Sequence, residues 1–388
     1  MRLTRLSLLL PLVALPTMAS AQSMPDGAFI VRLGTDTIAV ERFSRSGSEY
    51  SVEQVLRSPR TTLRHSHLGL TPAGEITQIF YMNHVIGDMA APLLGYTKLT
   101  LDGGDSAVVE MKQGDSTRTR RVPAPRGMIP QLPTSFLPYE MAATRLRAAG
   151  GDSLAVTLVG PGGGTMPIVA RKLGSDSMTF QLPFLTYRAR VDANGRIMGL
   201  YQPLGTAVER VSNVDINGLA TTWKKLDEGG KAMGALSPLD STTVKVGDAT
   251  ISLRYARPRT RGRTIFGNIV PFDTVWRTGA NDATVFATDQ ELRIGNTTVP
   301  AGRYTLFTLP SRSATLLILN KETTRDGEPL AGTDYDSKND LARIPMTTRT
   351  VSAPVEQLTI ELQPGSARQG VLRIVWDSRE MTVPVVDR

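Results

Sequence analysis

The sequence of 388 residues contains no cysteine. This absence excludes disulfide bonds, thiol catalysis, iron–sulfur clusters, covalently attached haem and a lipid-modified cysteine after a signal peptide. A chain of this length does not need disulfide bonds, because two domains of ordinary size can each bury an adequate apolar core. A cysteine-free, exported chain of this size is typical of a bacterial periplasmic or secreted protein.

Histidine is also scarce, with three residues in the chain and none in its second half. A Ser-His-Asp triad therefore cannot form within the second half alone, and the motifs GxSxG and HExxH are both missing. His65-Ser66-His67 could begin a zinc site, but such a site needs further ligands. We interpret these residues as exposed histidines on a strand, and we predict no metal site and no cofactor.

Long apolar runs are lacking except at the start of the chain. Arg2 and Arg5 precede an apolar run from residue 6 to residue 18, and Ala19-Ser20-Ala21 is a small-x-small cleavage pattern. These features predict a secretory signal peptide, residues 1–21, cleaved after Ala21. The run is shorter than the roughly 20 residues that span a bilayer. We therefore predict no membrane span and an exported protein, periplasmic or extracellular.

Acidic residues are outnumbered by basic ones, and the formal net charge is +8. The predicted signal peptide contains two arginines and no acidic residue, so the mature chain keeps a net charge of about +6. This excess favours anionic neighbours such as phosphorylated lipids or cell-wall polymers. We predict no nucleic-acid partner, because the most arginine-rich stretch has only Phe266 to stack on a base.

Short alternating runs separated by turn residues fill the first half of the chain and predict half-buried strands. Only one segment is strongly helical, the predicted helix 138–149, which carries Met141, Ala142 and Leu146 on one face and ends at a glycine. Asp192-Ala193-Asn194-Gly195 predicts a tight hairpin. Residues 22–215 are therefore predicted to form an antiparallel β domain, a curved sheet or partial barrel, with one helix.

A change of pattern follows at residues 216–235. Ile216, Leu219, Trp223 and Leu226 are spaced for one face of a short helix, and the glycine-rich residues after them predict a flexible linker. Strand patterns with turns every eight to twelve residues resume afterwards, and they predict a β-sandwich at residues 236–388. The predicted fold class is thus mainly β, with two domains.

The second half resembles a known bacterial secreted family, the one catalogued as domain of unknown function 2911, over about residues 236–388. The matching pieces are Arg257-Pro258, Gly262-Arg263, Ile265-Phe266-Gly267, Val270-Pro271, Trp276-Arg277-Thr278-Gly279-Ala280-Asn281, Ala301-Gly302 with Tyr304, Leu306 and Phe307, Leu319-Asn320-Lys321, Tyr335, and Asp340-Leu341-Ala342-Arg343. Where the family tends to carry a tryptophan, this chain has Leu330-Ala331 before Gly332. The resemblance implies a changed site if that tryptophan lines one. It does not reach the first half, and it implies no established activity.

Four arginines at alternate positions, residues 257 to 263, begin the most unusual stretch of the sequence. Pro258 and Gly262 predict an extended loop here rather than a flat strand. The loop could form a cationic rim that binds a carboxylate, sulfate or phosphate. Alternatively, one or two of the arginines pair with local acids such as Asp273 or Asp282 and the others face water.

The motif Trp276 to Asn281 suggests a binding surface, because a tryptophan beside an arginine can stack a sugar or a planar ligand. Alternatively, the tryptophan is buried in the sandwich and the polar residues hold a loop. The long polar connection from residue 322 to residue 340 is typical of a binding loop or a mobile lid. The candidate ligand-binding residues are Arg257, Arg261, Arg263, Trp276, Arg277, Asn281, Asn320, Lys321 and Tyr335.

Taken from the sequence, the function is that of an exported envelope or periplasmic binding protein with an anionic or carbohydrate-like ligand. One alternative is a hydrolase acting on envelope glycans or esters, which would need a pair of carboxylates about 5–9 Å apart at the site. Another is a structural envelope module without a small ligand. The sequence assigns no catalytic residue and no oligomeric state.

Overall fold

The computed structural model describes residues 26–72, 74–86, 95–183 and 185–388. The predicted signal peptide lies outside these residues. Within them the chain forms two separate large sheets and two α-helices, which confirms the predicted mainly β class. Each α-helix has 13 residues, and neither is long and apolar enough to cross a membrane.

The first sheet contains fifteen strands among the described residues, and strands adjacent in sequence are adjacent in the sheet except β8 and β9, which lie at its two ends. The first strand pairs with the last one, so the sheet runs from β8 through β1 and β15 to β9, and only β9 and β10 pair in parallel. The strands are β1 Gly27–Leu33, β2 Asp36–Ser46, β3 Glu49–Leu56, β4 Thr62–Leu70, β5 Ile76–His84, β6 Gly95–Leu101, β7 Ser106–Gln113, β8 Ser116–Pro123, β9 Ile129–Pro130, β10 Ser153–Val159, β11 Thr165–Lys172, β12 Ser177–Gln181, β13 Thr186–Val191, β14 Ile197–Gln202 and β15 Thr206–Val211.

The second sheet has nine strands in the order β16-β17-β18-β21-β22-β25-β26-β19-β20, and β23 and β24 form a separate small ladder. Its longest strands, β25 and β26, have irregular register near residues 350–359, and both contact β16 across the core. The strands are β16 Leu239–Val246, β17 Ala249–Ala256, β18 Thr284–Thr288, β19 Leu292–Ile294, β20 Thr297–Val299, β21 Gly302–Pro310, β22 Thr315–Asn320, β23 Thr324–Arg325, β24 Glu328–Pro329, β25 Asp340–Pro364 and β26 Gln369–Asp387. A short 3-10 helix spans Ser337–Asn339.

Helix α1, Leu137–Ala149, packs on the inner face of the first sheet and ends before Gly150, as the sequence predicts. Two buried carboxylates hold it. Glu41 on β2 accepts a hydrogen bond from the backbone N–H of Phe136 at 2.7 Å, where the helix begins. Glu140 on the helix pairs with Arg210 and accepts from the backbone N–H of Ile197 at 2.8 Å. The helix is therefore fixed to strands on both sides of it by charged groups within the core.

Helix α2, Ile216–Glu228, begins at Asp215, whose carboxylate accepts from the N–H of Gly218 at 2.9 Å. Its apolar face, with Trp223, packs against Val55 and Leu63 on the outer face of the first sheet. Such burial of a single apolar stripe is what stabilises a helix of this length. The predicted helix at this position is thus confirmed.

The histidines are the clearest error of the sequence interpretation. His65 was predicted to be exposed, but it is buried, with its Nε2 3.1 Å from a carboxylate oxygen of Glu53 on the neighbouring strand. Its ring centroid lies 4.6 Å from that of His84. The error has a physical reason: three adjacent strands bring these side chains together, and the pattern of one strand does not reveal its neighbours.

The two sheets meet where the turn between β1 and β2 contacts the loop that follows β17. The N–H of Thr35 donates to the carbonyl of Arg261 at 2.9 Å, and that of Gly34 donates to the carbonyl of Gly205 at 3.0 Å. A Cβ at Gly34 would collide with the Arg261 carbonyl, so this approach requires glycine. We call this contact, formed by residues 34–36, 205 and 261–263, the intersheet joint.

The predicted flexible linker is also attached to the first sheet. The N–H of Gly234 donates to the carbonyl of Pro59 at 2.9 Å, and the hydroxyl of Ser58 donates to the carbonyl of Gly234 at 3.0 Å. Just before the linker, the carboxylate of Asp227 accepts from the N–H of Thr61 at 2.6 Å. The first sheet therefore contacts the later part of the chain at two separate places, the intersheet joint and these contacts of Asp227 and Gly234.

Candidate functional site

Two arginines of the loop after β17 have carboxylate partners, and these partners are distant in sequence. Arg257 pairs with Asp240 at 2.9 Å and donates to the carbonyl of Leu358 at 3.0 Å. Arg261 is only 5% exposed and pairs across the intersheet joint with Asp36. The local acids that the sequence suggested, Asp273 and Asp282, form neither of these ion pairs. Arg257 and Arg261 therefore brace the fold.

Arg263 has no carboxylate partner among the described residues. Its guanidinium instead donates to three backbone carbonyls, those of Thr260 at 2.9 Å, Leu204 at 2.8 Å and Arg259 at 2.6 Å. Burial and the neighbouring Arg261 lower the pKa of Arg263. The side chain adds positive charge at the intersheet joint, where Glu356 is a nearby negative charge but is not paired with it.

Beside this joint lies a cavity of about 500 Å³, which we call the intersheet cavity. A volume of this size is typical of small-ligand sites. Leu33 at the end of β1 and Leu204 in the turn between β14 and β15 line one side, and residues from 236 onward line the rest. The lining residues used below are Leu33, Leu204, Arg263, Ile269, Trp276, Arg277, Thr333, Tyr335 and Trp376.

Trp276 is half-buried in the wall of the intersheet cavity. Its ring stacks on that of Trp376, with centroids 5.7 Å apart and planes 18° from parallel, and its edge meets Phe266. Backbone hydrogen bonds of 2.8 Å in both directions join Trp276 to Thr308 on β21. A tryptophan held in this way offers a rigid aromatic surface to a ligand while still contributing to the core.

Arg277 is the half-buried cation of the intersheet cavity. Its guanidinium makes no hydrogen bond or ion pair with any residue that the structure describes, and it feels Asp282 only as a nearby charge. Burial lowers the pKa of Arg277. A Cβ at Gly332 would collide with Cδ of Arg277, so the glycine makes room for the arginine to lie across the backbone. A partly dehydrated cation without a partner is unfavourable unless an anion accompanies it.

Tyr335 also lines the cavity, and its hydroxyl belongs to a small network. It donates to Asp340 at 2.8 Å and accepts from Arg343 at 2.8 Å. Burial, with the hydrogen bond to Asp340, raises the pKa of Tyr335 to about 12. The phenol is therefore neutral at ordinary pH and fixed in orientation, with its ring packed on Phe307 at 5.0 Å between centroids.

The structure brings together four of the nine candidate residues, namely Arg263, Trp276, Arg277 and Tyr335, at one cavity. Asn281 is exposed at a smaller neighbouring cleft. Asn320 is buried, and its amide donates to Asp336 and Asp340 and accepts from Glu322, so its polar atoms are used within the fold. Lys321 is exposed and does not line the intersheet cavity.

Sequence reasoning missed the contribution of the first sheet to this cavity. Leu33 ends β1 and Leu204 lies in the turn between β14 and β15, both far in sequence from the family pattern, and no local signal identifies them. Gly332 was noted only as part of a motif, although its contact with Arg277 gives it a role at the cavity. Leu330, at the position where a tryptophan was expected, is buried beside Phe307 and Ile318 and does not line the cavity.

The chemistry available in the intersheet cavity is that of binding. Its described lining includes two arginines without carboxylate partners, a fixed phenol and an aromatic pair, but no Asp, Glu or His. No group of three or more acidic or histidine side chains in the described parts of the chain is placed to hold a metal ion. The lining can hold an anion and cover an apolar or ring-shaped body, and it contains no acid–base pair.

This chain is similar to a solved structure and, over part of its length, to a protein family. One solved structure, described as a beta-barrel-like protein of domain of unknown function DUF1849 from Brucella abortus, is 13% identical, with 48% of this chain and 95% of that chain covered at a TM-score of 0.32. Comparison with curated proteins gives no match. The remaining similarity covers the part of the chain that holds Trp276, Arg277 and Tyr335: residues 237–385 match the family described as protein of unknown function DUF2911.

Proposed function

We propose that the protein is an exported, periplasmic or extracellular binding protein whose intersheet cavity holds a small anionic ligand. The observation that carries this proposal is the Arg277 guanidinium, half-buried at the cavity wall without a hydrogen-bonding partner among the described residues. A bound carboxylate, sulfate or phosphate would accept two of its N–H donors at once. Arg263 adds a second positive charge to the same cavity.

The rest of the ligand is a ring or a short apolar body. Trp276 lines the cavity together with Ile269 and Leu204, and Tyr335 adds its ring and a neutral hydroxyl held by Asp340 and Arg343. Aromatic rings contact sugar rings and planar groups in this manner. A sugar acid, a sugar phosphate or a ring-bearing carboxylate therefore fits the lining better than a small inorganic ion does.

The cavity supports binding over the two alternatives considered from the sequence. Hydrolysis of a glycan or an ester would need a general acid or base beside the ligand, and the described lining supplies neither a carboxylate nor an imidazole. A purely structural module would not need an unpaired cation at a cavity wall. Both observations favour a ligand that is held without being changed.

The proposal is tested by ligand-dependent thermal stabilisation. The probes are sugar acids, sugar phosphates and ring-bearing carboxylates, each with its neutral parent compound. A ligand at 100 times its Kd stabilises by about 2.7 kcal/mol, which raises Tm by roughly 5 °C or more. We expect such a shift with the wild-type protein and with the control Arg303→Ala, whose arginine is exposed outside the cavity.

The variant Arg277→Ala should lose this shift and keep its fold, because the guanidinium has no partner in the protein. Trp276→Ala is the structural comparison, since it removes a half-buried ring from the core and should cost about 3 kcal/mol. If Arg277→Ala unfolds as readily as Trp276→Ala, the arginine is a structural brace and the proposal is wrong. Equal shifts with the neutral parent compounds would also contradict it.

A further inference from the structure

The outer face of the first sheet carries a group of basic residues that the intersheet cavity does not use. On this face Arg171 of β11 and Arg188 of β13 both lie opposite Thr179 of the strand between them. Arg190 is two residues further along β13, and Tyr201 of β14 lies opposite Arg188. All three arginines and the tyrosine are exposed. We call these four residues the basic face.

The arginines of the basic face have no ion-pair partner among the described residues. None of the three makes a hydrogen bond or ion pair with a residue that the structure describes, and the acidic residue of the adjoining strand, Glu209, is already paired with Arg32 at 2.9 Å. One strand, β12, separates Arg171 from Arg188, so the two residues are two interstrand spacings, or about 10 Å, apart. Positive charge is thus spread over an area of the sheet, whereas a groove would concentrate it along a line.

Exposed apolar groups accompany this charge. The Tyr201 side chain is 47% exposed within the basic face, and Leu173, directly after β11, is 58% exposed. Tyrosine is enriched where a protein meets the headgroup region of a bilayer, because its ring is apolar and its hydroxyl remains hydrated. A basic area with an exposed aromatic ring matches a charged surface with an apolar interior.

We propose that the basic face docks on the surface of a bilayer containing anionic phospholipids. Each arginine near such a surface contributes about 1 kcal/mol, so three of them together strengthen binding by about 100-fold. This docking does not depend on the intersheet cavity, because none of the four residues lines it. It leaves the cavity free for a soluble ligand while the protein is held at the membrane surface.

The test is co-sedimentation of the mature protein with vesicles of phosphatidylcholine alone or of phosphatidylcholine mixed with the anionic lipid phosphatidylglycerol. We expect binding only to the anionic vesicles, and its loss in 0.5 M salt, where the Debye length is about 4 Å. The triple variant Arg171→Gln, Arg188→Gln, Arg190→Gln should bind about 100-fold more weakly, with an unchanged Tm because the side chains are exposed.

The matched control is the triple variant Arg60→Gln, Arg293→Gln, Arg303→Gln, which removes the same charge from three exposed arginines elsewhere. It should bind like the wild type. An equal loss in both triple variants would show that net charge alone attracts the vesicles, and the basic face would then have no special role. Equal binding to neutral vesicles, or binding to a soluble polyphosphate but to no vesicle, would also overturn the proposal.

Discussion

At the scale of single residues, arginines that are neighbours in sequence have different surroundings. Arg261 is buried in the intersheet joint against Asp36, Arg263 donates to carbonyls, and Arg277 has no partner among the described residues. The sequence identified the arginines but suggested the wrong acids, because Asp36 approaches Arg261 only where the two sheets meet, and Asp240 approaches Arg257 only once β16 has paired with β17. Ion-pair partners of this kind depend on tertiary contacts, which local sequence does not contain.

Replacing each aspartate in turn should distinguish the buried ion pair of Arg261 from the more exposed ion pair of Arg257. Asp36→Ala leaves the buried guanidinium of Arg261 without a counter-charge, which should lower the free energy of unfolding by about 3 kcal/mol. Asp240→Ala should cost about 1 kcal/mol or less, because Arg257 is more exposed and keeps its bonds to Leu358 and Thr359. Urea unfolding measures both. A cost for Asp36→Ala no larger than that for Asp240→Ala would mean that the joint is solvated.

At the scale of elements, local patterns predicted most of the structure. The alternating strands, the hairpin at residues 192–195 and both helices follow from side-chain period and turn residues, and the structure contains them. Strand β8 was not predicted, because its polar, arginine-rich sequence STRTRRVP lacks the apolar alternation of a half-buried strand. It is an edge strand, and its backbone pairing with β7 forms it without apolar alternation.

The attachment of helix α1 makes the stability of the first sheet depend on pH. Burial raises the pKa of Glu41 from 4.5 to about 7. Below pH 4.5 both the folded and the unfolded chain hold this proton. Between pH 4.5 and 7 the unfolded chain loses it first, so unfolding becomes more favourable as the pH rises, by a few kcal/mol in all.

The variant Glu41→Gln should remove this dependence while keeping an acceptor for the N–H of Phe136. We expect the free energy of unfolding, measured in urea, to fall more between pH 5 and pH 8 in the wild type than in the variant. Glu53 does not interfere, because the hydrogen bond from His65 and the nearby Arg42 lower its pKa to about 2, and its contribution is lost only as pH falls from 4.5. Parallel curves for the wild type and the variant would contradict the prediction.

At the scale of the whole molecule, the two sheets are joined at more than one place. The sequence predicted the change of pattern near residue 233, but it did not predict the intersheet joint, the attachment of Gly234 to Pro59 or the contribution of the first sheet to the cavity. These contacts involve turns, whose short sequences carry signals for local geometry and none for distant partners. The part of the cavity lining that contains Trp276, Arg277 and Tyr335 was thus predictable from the sequence, and the part contributed by Leu33 and Leu204 of the first sheet was not.

Export of the whole molecule can be tested by determining the N-terminus of the mature chain. The basic start, the apolar run and Ala19-Ser20-Ala21 predict that the mature chain begins at Gln22. Mass spectrometry of the intact protein from a periplasmic or secreted fraction should give this N-terminus. As a control, Ala19→Glu and Ala21→Glu together should block cleavage, because the peptidase accepts only small residues at these two positions. A chain that retains Met1 and remains in the membrane fraction would contradict the prediction.

The pairing of Arg261 with Asp36 means that the C-terminal region, with its present sequence, depends on the first sheet. A copy of that region in a protein without the first sheet would have no aspartate at this place. Because a buried guanidinium without a counter-charge costs several kcal/mol, such a copy must carry a different residue at the position of Arg261 or bring its own acid. We therefore expect related proteins to have arginine at this position where a β region of this kind precedes it. The identity of this one residue would then indicate whether the two regions evolved together.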